Sequence, residues 1–139
     1  MSEENLNLVR SIHSDWERGD YSSAEWADPE IEYVHADGPE IGSWNGLAGM
    51  SEGFRQFLRA WEDFCVEAEE FRALDADRVL VLFNFTGRGK RSGLEAQEIR
   101  TKGAQLFQIR DGKVTRLVQY LNRDDAFADL GPETDSLRS

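Results

Sequence analysis

His35 and Asp37 stand two residues apart, where a strand-like segment gives way to a loop. An imidazole oriented by a carboxylate can act as a general base near neutral pH. The plainer alternative makes His35 a strand-end residue satisfied by loop backbone, and gives Asp37 to the Asp-Gly-Pro turn, where Asp is at home. The other histidine, His13, lies on the apolar side of a helical repeat. It is either a ligand contact or a core histidine with a hydrogen-bonded ring nitrogen. The lone cysteine, Cys65, has no activating neighbour in sequence and reads as a small buried hydrophobe. One Cys and two His leave a structural zinc site almost without ligands, and no Asp-x-Asp-x-Asp-Gly loop is present. We expect no metal and no cofactor.

These groups must be positioned by a small set of elements. Val9, Ile12, His13 and Trp16 recur at helical spacing behind an acidic first turn (Glu3, Glu4), and Gly19-Asp20 should stop that helix. A short helical turn is expected around Ser22 to Ala27. Ile31 to His35 reads as a short strand, followed by a loop from Ala36 to Asn45. Leu47, Met50, Phe54, Phe57, Leu58 and Trp61 mark one stripe of a second, longer helix. Gly49 and Gly53 should weaken its start by roughly 1 kcal/mol each relative to Ala. The period then changes to two. Strands are expected over Phe64 to Leu74, Arg78 to Arg88, Glu95 to Arg110 and Lys113 to Asn122, with a tight turn at Asp111-Gly112. A short helix at Asp124 to Leu130 closes the domain. Helices first and hairpins later predict an α+β domain over residues 1–130 with a mostly antiparallel sheet, and a polar flexible tail over 131–139.

The chain is 139 residues long and carries 16 basic against 27 acidic side chains, a formal charge of −11. That charge repels phosphate backbones, so neither nucleic acid nor an anionic membrane surface is expected as partner. No apolar run approaches the roughly 20 residues of a membrane span, and the acidic N-terminus is no signal peptide. A cytoplasmic location follows as an expectation, which a single cysteine also suits. The late strands are apolar on both faces: Leu80 and Leu82 alternate with Val79, Val81 and Phe83. An antiparallel sheet normally keeps one face polar. A second copy of the chain is the cover we expect, giving a homodimer through the sheet.

The order and spacing of these elements resemble the nuclear-transport-factor-2-like superfamily, in its SnoaL-like (polyketide cyclase-like) branch. The matching stretches are WERGD (Trp16 to Asp20), DPEIEY (Asp28 to Tyr33), WNG (Trp44 to Gly46), DRVLVLFNFTGRGKRSG (Asp77 to Gly93) and IRDGKVTRLVQYLNRDDAFADLG (Ile109 to Gly131). The resemblance as a whole extends over about Leu6 to Gly131. The resemblance implies a cone-shaped curved sheet wrapped on the N-terminal helices, an internal apolar cavity, and often a dimer. It implies no single reaction, because function sits in the site.

By that family geometry, alternate strand residues face the cavity. The implied ligand-binding set is His13, Trp16, Tyr33, Trp44, Phe57, Trp61, Phe83, Gln105, Phe107, Leu117 and Gln119, with His35 and Asp37 as acid–base candidates. A register error of one residue would invert each strand. Gln105 and Gln119 would either orient a ligand carbonyl or hydroxyl or simply bond each other. Ketosteroid isomerases of this superfamily need a first-helix Tyr, a strand Asp and a carboxylate base. Those places fall near Ile12, Gln105 and Tyr33 here, so that activity is not expected. Cyclases of the branch often carry an Asp where this chain has Asn122. The expected function is therefore binding of a small apolar carbonyl or a polyketide- or steroid-like compound. An acid–base isomerase, cyclase or dehydratase and a non-catalytic dimeric scaffold are the alternatives.

Overall fold

Helix α1 (Ser2–Glu17) buries Val9, Ile12, His13 and Trp16 along one side and leaves Glu3, Glu4, Arg10 and Ser14 to water. Asn5 extends the buried side by donating from Nδ2 to the Ala76 carbonyl at 2.8 Å. The computed structural model describes the backbone of residues 2–18, 25–36, 41–59, 61–89 and 98–130. The side chains of 2, 57–59, 61–64, 88, 89, 98–101 and 130 lie outside that description. So do two expectations, Asp37 and the tail over 131–139, as well as most of the expected turn near Ser22.

Strand β1 (Ala27–His35) is longer than its apolar core suggests. The loop expected after it contains a further strand, β2 (Gly42–Asn45), paired antiparallel to β1 with Tyr33 opposite Trp44. Helix α2 runs over Gly46–Arg59 and ends before Trp61, which opens strand β3 (Trp61–Ala73). Trp61 was expected on the helix stripe; its place at the start of a strand corrects that. Val66 and Phe71 lie beyond it in a run whose pairing with strand β4 (Arg78–Gly89) begins at Trp61 itself. Strand β5 (Glu98–Arg110) and strand β6 (Lys113–Tyr120) follow, then helix α3 (Arg123–Leu130). Asp111 and Gly112 both take positive φ, 53° and 79°, the backbone that a tight hairpin between right-twisted strands requires.

The six strands form one open sheet in the order β2-β1-β6-β5-β4-β3. All neighbours are antiparallel except β1 and β6, which run parallel with His35 beside Gln119. The sheet is therefore mixed, with a single parallel ladder. Both long helices pack on one face: α1 against β3 and β4, α2 against β1, β2 and β3. Between them and the sheet lies the main core, including Ile31, Tyr33, Val81, Phe83, Phe107 and Leu117.

The opposite face is apolar, as expected, but the chain covers it itself. Leu80, Leu82, Leu106, Val118 and Tyr120 are buried with Ala126 and Phe127 of α3 in a second cluster. Over these described residues, the cover expected from a second copy comes from α3. Arg123 anchors α3: Nη2 donates to Glu69 Oε1 at 2.7 Å and to the Phe83 carbonyl at 3.1 Å, and Nε donates to the Gly103 carbonyl at 3.3 Å. Among the described residues, no helix is long and apolar enough to cross a membrane. Cys65 is exposed, against the expectation of a buried thiol, because it faces outward opposite Thr86.

Candidate functional site

Alternation along β1, β5 and β6 carries Tyr33, His35, Gln105 and Gln119 to the inner face, and the helical repeat of α1 brings His13 down onto them. All five are at most 8% exposed. They form one hydrogen-bonded row. His13 Nε2 lies 2.7 Å from Gln105 Oε1. Gln105 Nε2 donates to Gln119 Oε1 at 3.2 Å, and Tyr33 Oη lies 3.5 Å from the same oxygen. His35 Nε2 lies 2.7 Å from Tyr33 Oη.

The polarity of the row follows from its amides. With the Gln105 amide nitrogen committed to Gln119, its oxygen faces His13, so His13 must donate from Nε2–H. A tyrosine hydroxyl has one proton. Its two neighbours are His35 Nε2 at 2.7 Å and Gln119 Oε1 at 3.5 Å, and which one receives the proton follows the His35 tautomer. Gln119 Oε1 is the acceptor at the centre of the row. The cross-strand register explains the meeting: Gln105 sits directly opposite Gln119 on β6, and His35 pairs with Gln119 from the parallel side.

Aromatic rings enclose the row. Trp16, Phe71 and Phe107 stand edge-on to the His13 imidazole, with centroids 4.9, 5.7 and 6.0 Å away. At the other end Trp44 lies 4.7 Å from His35, and Phe54 lies 4.7 Å from Tyr33. Burial pushes the His13 imidazole down from 6.5 to about 4, against a smaller upward pull from its Gln105 bond. Burial likewise raises Tyr33 well above the usual phenol range, so it stays protonated. His13 Nδ1 is buried and has no hydrogen-bond partner; it is the one such side-chain atom among the described residues.

The structure therefore brings together His13, Trp16, Tyr33, His35, Trp44, Gln105, Phe107 and Gln119. Phe83 and Leu117 share their core cluster. Phe57 and Trp61 lie in described elements, but their side chains fall outside the description, and Asp37 lies outside it altogether. His35 is turned inward, with Nε2 2.7 Å from Tyr33 Oη. Gln105 and Gln119 do bond each other, and Gln105 bonds His13 as well.

Phe71 was missed. Simple alternation puts it with Glu67 and Glu69 on the outer side of β3. Pairing shifts between Ala68 and Glu70, leaving Glu69 as an extra residue, and Phe71 then pairs with the inward Val81. Nothing in the run of residue types marks that bulge. Elsewhere, Glu4, Asn5, Asp77, Arg110 and Gly112 border a polar surface cleft of about 730 Å³. It lies at the β5–β6 hairpin, away from the row. Among the described residues no group of three His, Cys, Asp or Glu could hold a metal ion.

The model of the SnoaL-like domain family matches residues 9–117. Among solved structures, an NTF2-like protein from Burkholderia thailandensis E264 superposes with a TM-score of 0.73 at 18% identity, covering 91% of this chain and 97% of that one. A candidate SnoaL-like polyketide cyclase from Jannaschia sp. CCS1 gives 0.71 at 16% identity, covering 86% and 85%. TerC, co-crystallized with polyporic acid, gives 0.69 at 21% identity, covering 91% and 97%. At such identities the likeness carries the fold alone. Among curated proteins, none matches this sequence.

Proposed function

This chain belongs to the SnoaL-like domain family, and from that premise we propose that it binds a small apolar molecule against the inner face of its sheet. The polar row from His13 to His35 is the surface that recognises it. The row itself carries the reading. Five polar side chains are buried in a face otherwise built of Val, Leu, Ile and aromatic residues. Burying such groups costs free energy, and a purely structural core would do as well without them. Apolar walls with a few convergent polar groups are the make-up of small-molecule sites. A neighbour of the same fold, TerC, was crystallised together with an organic acid, which supports the same use of the fold.

The ligand class is an apolar carbonyl or a polyketide- or steroid-like compound. A simple probe is 1-tetralone, titrated while following tryptophan fluorescence, since Trp16 and Trp44 flank the row. Saturable quenching is the expected result. Quenching that only grows linearly with this and related ketones would overturn the reading.

A second reading, acid–base catalysis by His35 with Asp37, draws on one observation. His35 is 3% exposed and held by Tyr33 Oη at 2.7 Å, so its ring has a defined orientation inside the face. Exchange of the α-protons of 1-tetralone in heavy water tests it. Exchange should be faster with the wild type than with His35→Ala or Asp37→Asn; equal rates would remove the enzyme reading.

A further inference from the structure

The His35 end of the row is closed by one ring on a slight support. Strand β2 stands at the end of the strand order and pairs with β1 on one side. Its four residues bring Gly42 directly opposite His35 and Trp44 directly opposite Tyr33. Gly42 has no side chain to lay over His35, and the Trp44 indole leans across instead, with ring centroids 4.7 Å apart. The same indole lies 5.8 Å from the Tyr33 ring at a tilt of 35°. His35 is 3% exposed beneath it, whereas Trp44 itself is half-buried. Glycine meets the indole from both elements. A Cβ on Gly53 would stand 2.9 Å from indole Cδ2, one on Gly49 3.4 Å from Trp44 Cβ, and one on Gly42 3.7 Å from Cη2. Interlocking side chains hold a ring in place. Glycine backbone offers a smooth slot with little to unlock.

We propose that Trp44 is a gate: its indole turns out of the glycine slot by a local opening of β2, and the space it leaves admits a flat ring to Tyr33 and His35. This rests on the binding reading above and adds how the site is reached. The room a ligand needs is the room an indole gives up, a flat bicyclic volume beside Tyr33, His35 and the backbone of Gly49 and Gly53. Local opening belongs to segments with few buried contacts. The segment around Trp44 is such a one: Ile41 is 72% exposed, and Ser43 and Asn45 face water. The other end of the row is built differently. His13 sits on the 16-residue α1 behind Trp16, Phe71 and Phe107, so it becomes accessible only when the whole fold opens.

Histidine labelling of the full chain with diethyl pyrocarbonate, read by mass spectrometry, tests the gate. Cleavage after Arg10, Arg18 and Arg55 puts His13 and His35 on separate peptides. In the wild type, His35 should label at a rate independent of urea below the unfolding transition, the mark of local opening. His13 should label faster with urea, in step with global unfolding. Trp44→Ala should speed His35 labelling at least about tenfold, because an open state populated to no more than about 10% limits the wild type. A wild-type His35 rate that follows urea as steeply as His13 overturns the gate. So does a Trp44→Ala protein in which His35 gains no more than His13. Stopped-flow association of 1-tetralone should also be faster in Trp44→Ala; equal association rates would overturn the gate and leave the binding reading intact. If 1-tetralone and related ketones fail to bind while His35 opens locally through Trp44, the binding reading falls and the gate stands.

Discussion

At the residue scale, the buried row makes its members unequal in what they contribute to stability. His13 is held at about 4 when folded against 6.5 when exposed. Above 6.5 both states are neutral and stability is full. As pH falls from 6.5 towards 4, the unfolded chain takes up a proton that the folded chain refuses, and stability drops. Below about 4 both are protonated and the loss stops. The difference corresponds to about 3 kcal/mol in total. Urea unfolding between pH 7 and 4 should show this slope in the wild type, and a shallower one in His13→Gln. Matching slopes would mean the ring is not buried neutral. Asp75 and Glu69 also lose support in acid. Asp75 is lowered first by the Asp77 backbone N–H, and Glu69 first by its Arg123 bond, from 3.8 and 4.5 respectively. Their titration falls at the bottom of that range or beneath it. Tyr33→Phe tests the other end of the row. It removes the hydroxyl that His35 Nε2 contacts at 2.7 Å and should cost about 1–3 kcal/mol; a neutral substitution would show that this contact contributes nothing.

At the scale of elements, one glycine decides how closely α2 approaches the sheet. A Cβ on Gly53 would stand 2.8 Å from Tyr33 Cδ2 and 2.9 Å from Trp44 Cδ2. Glycine ordinarily weakens a helix interior by about 1 kcal/mol relative to alanine. Here the gain from Gly53→Ala should be outweighed by overpacking, a net loss of about 1–2 kcal/mol. A more stable variant would mean that α2 can draw back freely. On the other face, Arg123 joins α3 to two strand carbonyls and to the bulge residue Glu69. Arg123→Ala should speed amide exchange across α3 and over Ala104 and Val118 beneath it. Glu69→Gln should do so less, since the two carbonyl bonds survive. Equal exchange in all three proteins would argue against the anchor.

For the whole molecule, the notable result is a sheet with both faces served by its own chain. The inner face takes α1 and α2, and the outer apolar row lies with Ala126 and Phe127. On that ground we predict that the chain folds without a second copy. The unfolding midpoint should not move between 1 and 100 μM protein, whereas an obligate dimer would rise with concentration. A concentration-dependent midpoint would restore the subunit interface expected from the strand pattern.

How much of this was legible beforehand differs by the physics involved. The periods of 3.6 and 2 are local, so α1, β4, β5 and β6 and their inward residues could be read directly, down to the Asp111-Gly112 hairpin. The helix stripe overran into Trp61 because an apolar residue suits either a helix face or a strand start, and only pairing with β4 decides between them. Gly42 to Asn45 looks like loop because glycine and serine have little strand preference; β1 supplies the partner that makes it a strand. The bulge at Glu69, which turns Phe71 inward, leaves no trace in residue type. The types of His13, Tyr33, His35, Gln105 and Gln119 were plain from the start. That they join in one row, with a lone pair left over at His13, depends on three strands and a helix converging from distant parts of the chain. Residue types set what each group can donate or accept, and distances between groups remote in sequence exist only once the chain has folded.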